Sequence, residues 1–173
     1  SWASGMGLTL LRHTRPAITP GTCYGMTDLP LPDTFDADAR AALDRLPRIT
    51  AIVASPLSRC HRLAARIAEA TGATMTTDPR WREMDFGAWE GRAWDAIPRA
   101  DLDGWAADFH HYRGHGGESV AMLEARVRAA LADAPAGALV VTHAGCIKAA
   151  LAIRGALDGW DASPAFGAPV ELD

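Results

Sequence analysis

Three apolar runs, at 7–11, 50–54 and 138–142, are too short to be helices, and each is closed off by glycine or by serine and proline. Runs of that length with those boundaries read as buried strands. The segments between them carry helical spacing. Phe35, Ala39, Ala42 and Leu46 form one stripe in 33–46, with Asp33 as N-cap and Pro47 as the stop. Leu63, Ala64, Ile67 and Ala68 form another in 58–70, stopped by Gly72. Ser119 caps a third helix carrying Val120, Leu123 and Val127, and 146–153 continues as a fourth. A weaker, Thr-rich strand is expected at 73–77 and a last one around Val170. Strand alternating with helix predicts a mainly parallel sheet with helices on both faces.

That frame gives three polar segments a shared address. Arg12-His13, the stretch 55–59 and His143-Ala144-Gly145 each follow the carboxyl end of a strand, where open α/β sheets bind ligands. If the three strands are neighbours, two imidazoles and two guanidinium groups converge. Arginine forks and helix starts match a tetrahedral oxyanion, so the pattern describes a phosphate pocket better than a carboxylate one. Arg12 disfavours an imidazolium at His13 and so favours a neutral, nucleophilic nitrogen. A phosphate ester also needs a proton donor for its leaving oxygen. Glu83 and Asp85 are the candidates, with Trp81, Met84 and Phe86 beside them to exclude water. The competing reading is a set of strand-end polar side chains that simply reach solvent.

The chain of 173 residues is expected to form one domain over 6–173, with 1–5 as a cloning remnant. A net charge of −4 offers no basic footprint for nucleic acid, and no run is long and apolar enough for a membrane. Three cysteines without a CxxC spacing point to a reducing, cytoplasmic setting. The loop 19–32 holds too many prolines and glycines for a regular element, yet Cys23, Tyr24 and Leu31 make it apolar enough to pack over something. The stretch 78–117 is Trp-rich and irregular, with 88–117 read as a lid-like excursion within the domain. Tyr24 and Trp89 are candidates for a substrate mouth.

Five segments in order resemble the histidine phosphatase (phosphoglycerate mutase-like) superfamily. They are Leu11-Arg12-His13, Ser55-Pro56-Leu57-Ser58-Arg59-Cys60, the run from Arg82 to Gly91, Gly116-Gly117-Glu118-Ser119, and Val141-Thr142-His143-Ala144-Gly145. The resemblance implies a three-layer α/β/α sandwich with a mainly parallel sheet. It implies His13 as the nucleophile that forms a phosphohistidine, with Arg12, Arg59 and His143 holding the phosphoryl oxygens. Glu83 would protonate the leaving group and then activate water, and neither a metal nor another cofactor is implied. The segment 21–31, with Cys23-Tyr24-Gly25 at its centre, is most similar to alpha-ribazole phosphatases of cobalamin assembly, which places Tyr24 and Gly25 at the substrate mouth. Thr14 stands where most members have Gly. Thr19 stands where many have a phosphate-contacting Asn and is carried over as a phosphate ligand.

The expected partner is a small-molecule phosphate ester, with the oligomeric state open between monomer and homodimer. A mutase of phosphorylated glycerates or sugars is the nearest rival, although the modest span from Glu83 to His143 favours hydrolysis. A broad-specificity or protein phosphatase is a further alternative, and a non-catalytic phosphate-binding module is the rival of another class. Two decoys are set aside. Cys60 and Arg66 have the C-x5-R spacing of cysteine phosphatases, but no glycine opens a loop between them. His110, His111 and His115 could suggest a metal, but Gly114, Gly116 and Gly117 break any helix presenting them together, and a surface or lid cluster is expected instead.

Overall fold

A computed structural model describes residues 7–156 and 158–173. Five strands, β1 (Leu8–Arg12), β2 (Ala51–Ala54), β3 (Thr74–Thr77), β4 (Leu139–Thr142) and β5 (Pro169–Leu172), form one sheet in the order β3-β2-β4-β1-β5. The first four are parallel, and β5 runs antiparallel along the outer side of β1. Residues of β4 are buried on both faces because it lies at the centre. Their alternation sorts them between two helical layers. Leu139 and Val141 pack with residues of α1 (Phe35–Asp44) and α2 (Ser58–Thr71). Val140 packs with α4 (Val120–Asp133) and α5 (Ala144–Ile153), which follow α3 (Arg99–Ala107) in the chain. The result is the expected three-layer α/β/α arrangement, with one antiparallel strand making the sheet mixed.

Two helix starts differ from the sequence reading. Helix α1 begins at Phe35 after Thr34, so Asp33 is not its cap, and it ends at Asp44 ahead of Pro47. Helix α5 begins at Ala144, directly after His143, rather than at Cys146. The second difference is functional, because it puts the N–H of Gly145 among the free donors of a first helical turn. Ser119 caps α4 as expected, its hydroxyl accepting from the N–H of Met122 at 3.1 Å. Gly72 ends α2 in the left-handed region, with φ of +75°.

The segment 78–117 contains three 3₁₀ turns and α3, and it encloses a small core of its own around Cys23, Trp89 and Ile97. It is laced to the proline-rich loop by backbone bonds. Cys23 N–H donates to the Arg92 carbonyl at 2.7 Å, and the Gly91 and Trp94 N–H groups donate back to Cys23 and Gly21. The Glu90 carboxylate closes the junction by accepting from the N–H groups of Gly25, Met26, Thr27 and Phe86 and from the Thr27 hydroxyl.

Candidate active site

His13 leaves the carboxyl end of β1 and is almost fully buried. Its Nδ1 lies 2.7 Å from the Thr14 carbonyl oxygen. A carbonyl only accepts, so the proton of the neutral ring sits on Nδ1, and Nε2 keeps its lone pair. Burial, the Arg59 guanidinium and Arg12 together outweigh that hydrogen bond and push the imidazole pKa down to about 3. The ring is therefore an unprotonated base at neutral pH.

His143 directly follows β4, its ring centroid 5.3 Å from that of His13. Its Nε2 shares a 2.8 Å hydrogen bond with the Ser55 hydroxyl, and the Cys60 sulfur sits 3.4 Å away. Burial, and then the neighbouring His13 and Arg59, hold its pKa well below the ordinary value. The two arginines are fixed by backbone carbonyls. Arg12 donates to the Pro164 carbonyl at 2.9 Å and lies 3.9 Å over the Phe166 ring. Arg59 is fully buried and donates to the carbonyls of Thr27 and Gly25. Each keeps a buried Nε–H that finds no acceptor among the described residues. An orphaned buried donor costs roughly 1–3 kcal/mol, a deficit that an oxyanion beside His13 would remove.

Glu83 reaches the same place from the segment after β3. One carboxyl oxygen accepts from Gly145 N–H at 2.9 Å, the other from Met84 N–H at 3.0 Å. The approach to α5 is so close that a Cβ on Gly145 would collide with the carboxylate. Arg126, on α4, holds the backbone that carries Glu83. Its guanidinium donates to the carbonyls of Arg80 (2.7 Å), Arg82 (2.6 Å) and Glu83 (3.0 Å), and to both oxygens of Glu118. Glu118 in turn accepts from Asp85 N–H at 3.2 Å. Asp85, the other acid considered, folds back to accept from Gly87 N–H.

Arg12, His13 and Glu83 line one cavity of about 390 Å³. Its walls are largely aromatic, with Tyr24, Phe86, Trp94, Trp105, Phe109 and Trp160 facing it, and α5 contributes Gly145 and Lys148. Of the residues expected in the site, the structure brings Arg12, His13, Glu83 and Tyr24 onto the cavity surface. His143 and Arg59 lie against this group but are fully buried behind it. Three expectations need correction. Thr19 is exposed and does not line the cavity; Thr22 and Gly21 occupy that wall instead. Gly25 is buried rather than at the mouth, binding Arg59 and Glu90 through its backbone where a Cβ would strike the Met84 carbonyl. Trp89 belongs to the small core of the excursion.

Lys148, Arg126 and the aromatic wall are absent from the sequence reading. The one signal available for Lys148 is that it is the only lysine in a chain whose other basic side chains are all arginine. Cys60 lies in the first turn of α2, its thiol pushed well above its ordinary pKa by burial, while Arg66 pairs with Asp36 on the surface. His115 is buried against Trp89 and Tyr112, and His110 packs on Phe109 and Trp160.

Comparison with known proteins gives concordant results. The sequence model of the histidine phosphatase superfamily (branch 1) matches residues 8–164. A probable phosphoglycerate mutase of Enterobacter sp. (strain 638) is 36% identical over 137 residues, covering 71% of this chain and 63% of the relative. The chain thus spans somewhat less than two thirds of that relative's length. Among solved structures, a phosphoglycerate mutase from Thermus thermophilus superimposes with a TM-score of 0.78 at 33% identity, covering 97% of this chain and 93% of that one. A mycobacterial glucosyl-3-phosphoglycerate phosphatase superimposes with a TM-score of 0.79 at 26% identity, covering 97% and 90%.

Proposed function

Because the chain belongs to the histidine phosphatase superfamily, we propose that it is a phosphomonoesterase working through a phosphohistidine on a small-molecule ester. The observation that carries this reading is the fixed tautomer of His13, an unprotonated Nε2 sharing a cavity with Arg12 and a carboxyl group. Nε2 attacks phosphorus, and the bond from phosphorus to the alcohol oxygen breaks with its electron pair going to oxygen. That oxygen takes a proton from Glu83, whose carboxyl oxygens each retain lone-pair capacity beyond the N–H they accept. Water then gives a proton back to Glu83 and displaces His13, releasing inorganic phosphate. Arg12 and Arg59 supply fixed positive charge for the oxyanion, with the neutral His143–Ser55 pair beside them.

For the ester itself, alpha-ribazole phosphate is our first candidate. The similarity of segment 21–31 and the aromatic wall both support it, since flat rings stack on a heteroaromatic base. Phosphoglycerate chemistry, including a mutase, is the second reading, supported by what the relatives are named. The test is turnover of naphthyl phosphate together with trapping of an acid-labile, base-stable phosphoryl label on the protein. Wild type is expected to turn over and to carry the label, and His13→Ala to do neither. Equal turnover by His13→Ala would refute the nucleophile. A panel of alpha-ribazole phosphate and phosphoglycerate, compared by kcat/KM, separates the two candidate substrates.

A further inference from the structure

Lys148 is the only lysine among the chain's basic residues, and it sits half-buried on the wall of the reaction cavity. Among the described residues its ammonium has no carboxylate within ion-pair distance and lies over no aromatic ring. Among the described residues the one carboxylate on the cavity surface is Glu83, which is held by the N–H groups of Gly145 and Met84 and not by Lys148. The cavity that it shares is walled largely by Phe86, Trp105, Phe109, Trp160 and Leu123, the apolar part of the lining. The side chain is half-buried as a whole, and its unpaired ammonium is free to donate to an oxygen acceptor brought in with a ligand.

Its place on α5 says which part of a ligand it meets. Gly145, three residues earlier, carries the N–H that holds Glu83. Residues three apart share a helix face, about 4.5 Å apart along the axis. Lys148 therefore stands one turn along α5 from the N–H that holds Glu83, the group that meets the departing alcohol. Arg12 and Arg59, with His13, mark the phosphoryl end.

We infer that Lys148 is a specificity residue that binds hydroxyl or carboxylate oxygens on the leaving alcohol, while the aromatic wall takes that alcohol's apolar body. The inference rests on the phosphatase reading of the same cavity and adds the substrate class. The preferred ester has an alcohol that is ring-bearing and apolar over much of its surface, with an oxygen-rich end removed from the scissile bond. Sugar hydroxyls and a carboxylate both supply that chemistry.

The experiment compares wild type, Lys148→Met and Lys148→Arg on three esters: naphthyl phosphate, alpha-ribazole phosphate and phosphoglycerate. The first has an apolar body alone, the second an apolar body with sugar hydroxyls, and the third a carboxylate and one hydroxyl without an apolar body. In Lys148→Met, kcat/KM for the better oxygen-bearing ester, relative to naphthyl phosphate, is expected to fall about tenfold or more, the range of a hydrogen bond to a charged group. Lys148→Arg is expected to keep most of the preference. A fall for alpha-ribazole phosphate identifies hydroxyls as the group read, and a fall for phosphoglycerate alone identifies its carboxylate. A ratio that stays within about threefold, whatever happens to the absolute rates, overturns the inference, because a lysine acting on the phosphoryl group would slow all three esters alike. Wild type that fails to hydrolyse naphthyl phosphate removes the phosphatase reading and this one with it, whereas hydrolysis with an unchanged ratio removes this one alone.

Discussion

Arg126→Met removes five hydrogen bonds at once, three to the backbone of the segment carrying Glu83 and two to Glu118. The side chains of Arg126 and Glu118 are only 13% and 11% exposed, so water cannot take over the charge that remains. Breaking a buried pair from one side costs about 3–5 kcal/mol, chiefly because the surviving charge is left uncompensated. For a domain of this size that corresponds to a fall in Tm of roughly 6–20 °C, measurable by calorimetry or circular dichroism. The same ion pair supplies an internal control. If the orphaned Glu118 carboxylate is the main cost, Arg126→Met/Glu118→Leu should recover about half of the loss, because both charges are then gone. A catalytic readout separates positioning from bulk stability. Misplacing Glu83 should slow esters of poor leaving groups about tenfold more than nitrophenyl phosphate, whose leaving oxygen needs little protonation. A Tm shift below about 3 °C, a double variant no better than the single one, or equal slowing of both ester types would each refute the clamp.

Glu83→Gln should lower turnover of alkyl phosphates about 10²–10⁴-fold in steady-state assays, with a smaller loss for nitrophenyl phosphate. Gly145→Ala places a methyl group against the Glu83 carboxylate and should lower kcat about 10²-fold, the loss expected of a displaced catalytic group; an unchanged kcat would contradict the close packing. Burial alone would raise the Glu90 carboxyl, but hydrogen bonds from Thr27, Gly25 and Phe86 outweigh it and hold its pKa below the usual range. That contribution to stability is complete above the unfolded pKa of about 4.3 and is lost as pH falls through the lower folded value, so Glu90→Gln should flatten the acid limb of Tm against pH. His13, with its pKa near 3, binds fewer protons folded than unfolded below the unfolded value of about 6.5, so its contribution to stability is lost as pH falls from there through 3. Its ring protons should show no titration in NMR spectra between pH 5 and 8, and an inflection near 6.5 would refute the buried neutral tautomer.

The strands that position the site are legible because their surroundings leave them one role. A run such as 138–142 has no polar residue to offer solvent until Thr142, which reads directly as the centre of a sheet. The pocket cations are legible for the same reason, standing where burial is costly. The start of α5 is not. Ala144-Gly145 reads as loop because glycine disfavours helices, yet this glycine sits in a first turn and is required there by the approach of Glu83. The tryptophans are illegible as individuals. Trp89 fills a core while Trp94 and Trp105 of the same excursion face the cavity, and only the path of the excursion decides between those roles. Lys148 on its helix looks like any solvated basic residue, and its isolation from carboxylates is a tertiary fact.

The order of the sheet also constrains how the molecule can be assembled. Strand β1 comes first in the chain, but both of its neighbours, β4 and β5, lie near the other end, where Thr9 pairs with Leu139 and Glu171. During synthesis β1 therefore stays unpaired until the segment carrying β4 has emerged. Pairing so distant in sequence closes slowly. His13 and His143 meet only in that last step, so the ability to bind phosphate arrives with completion of the fold rather than before it. Cutting the chain ahead of Pro169 would strip β5 from β1 and leave a bare, apolar strand edge, a template for association between copies.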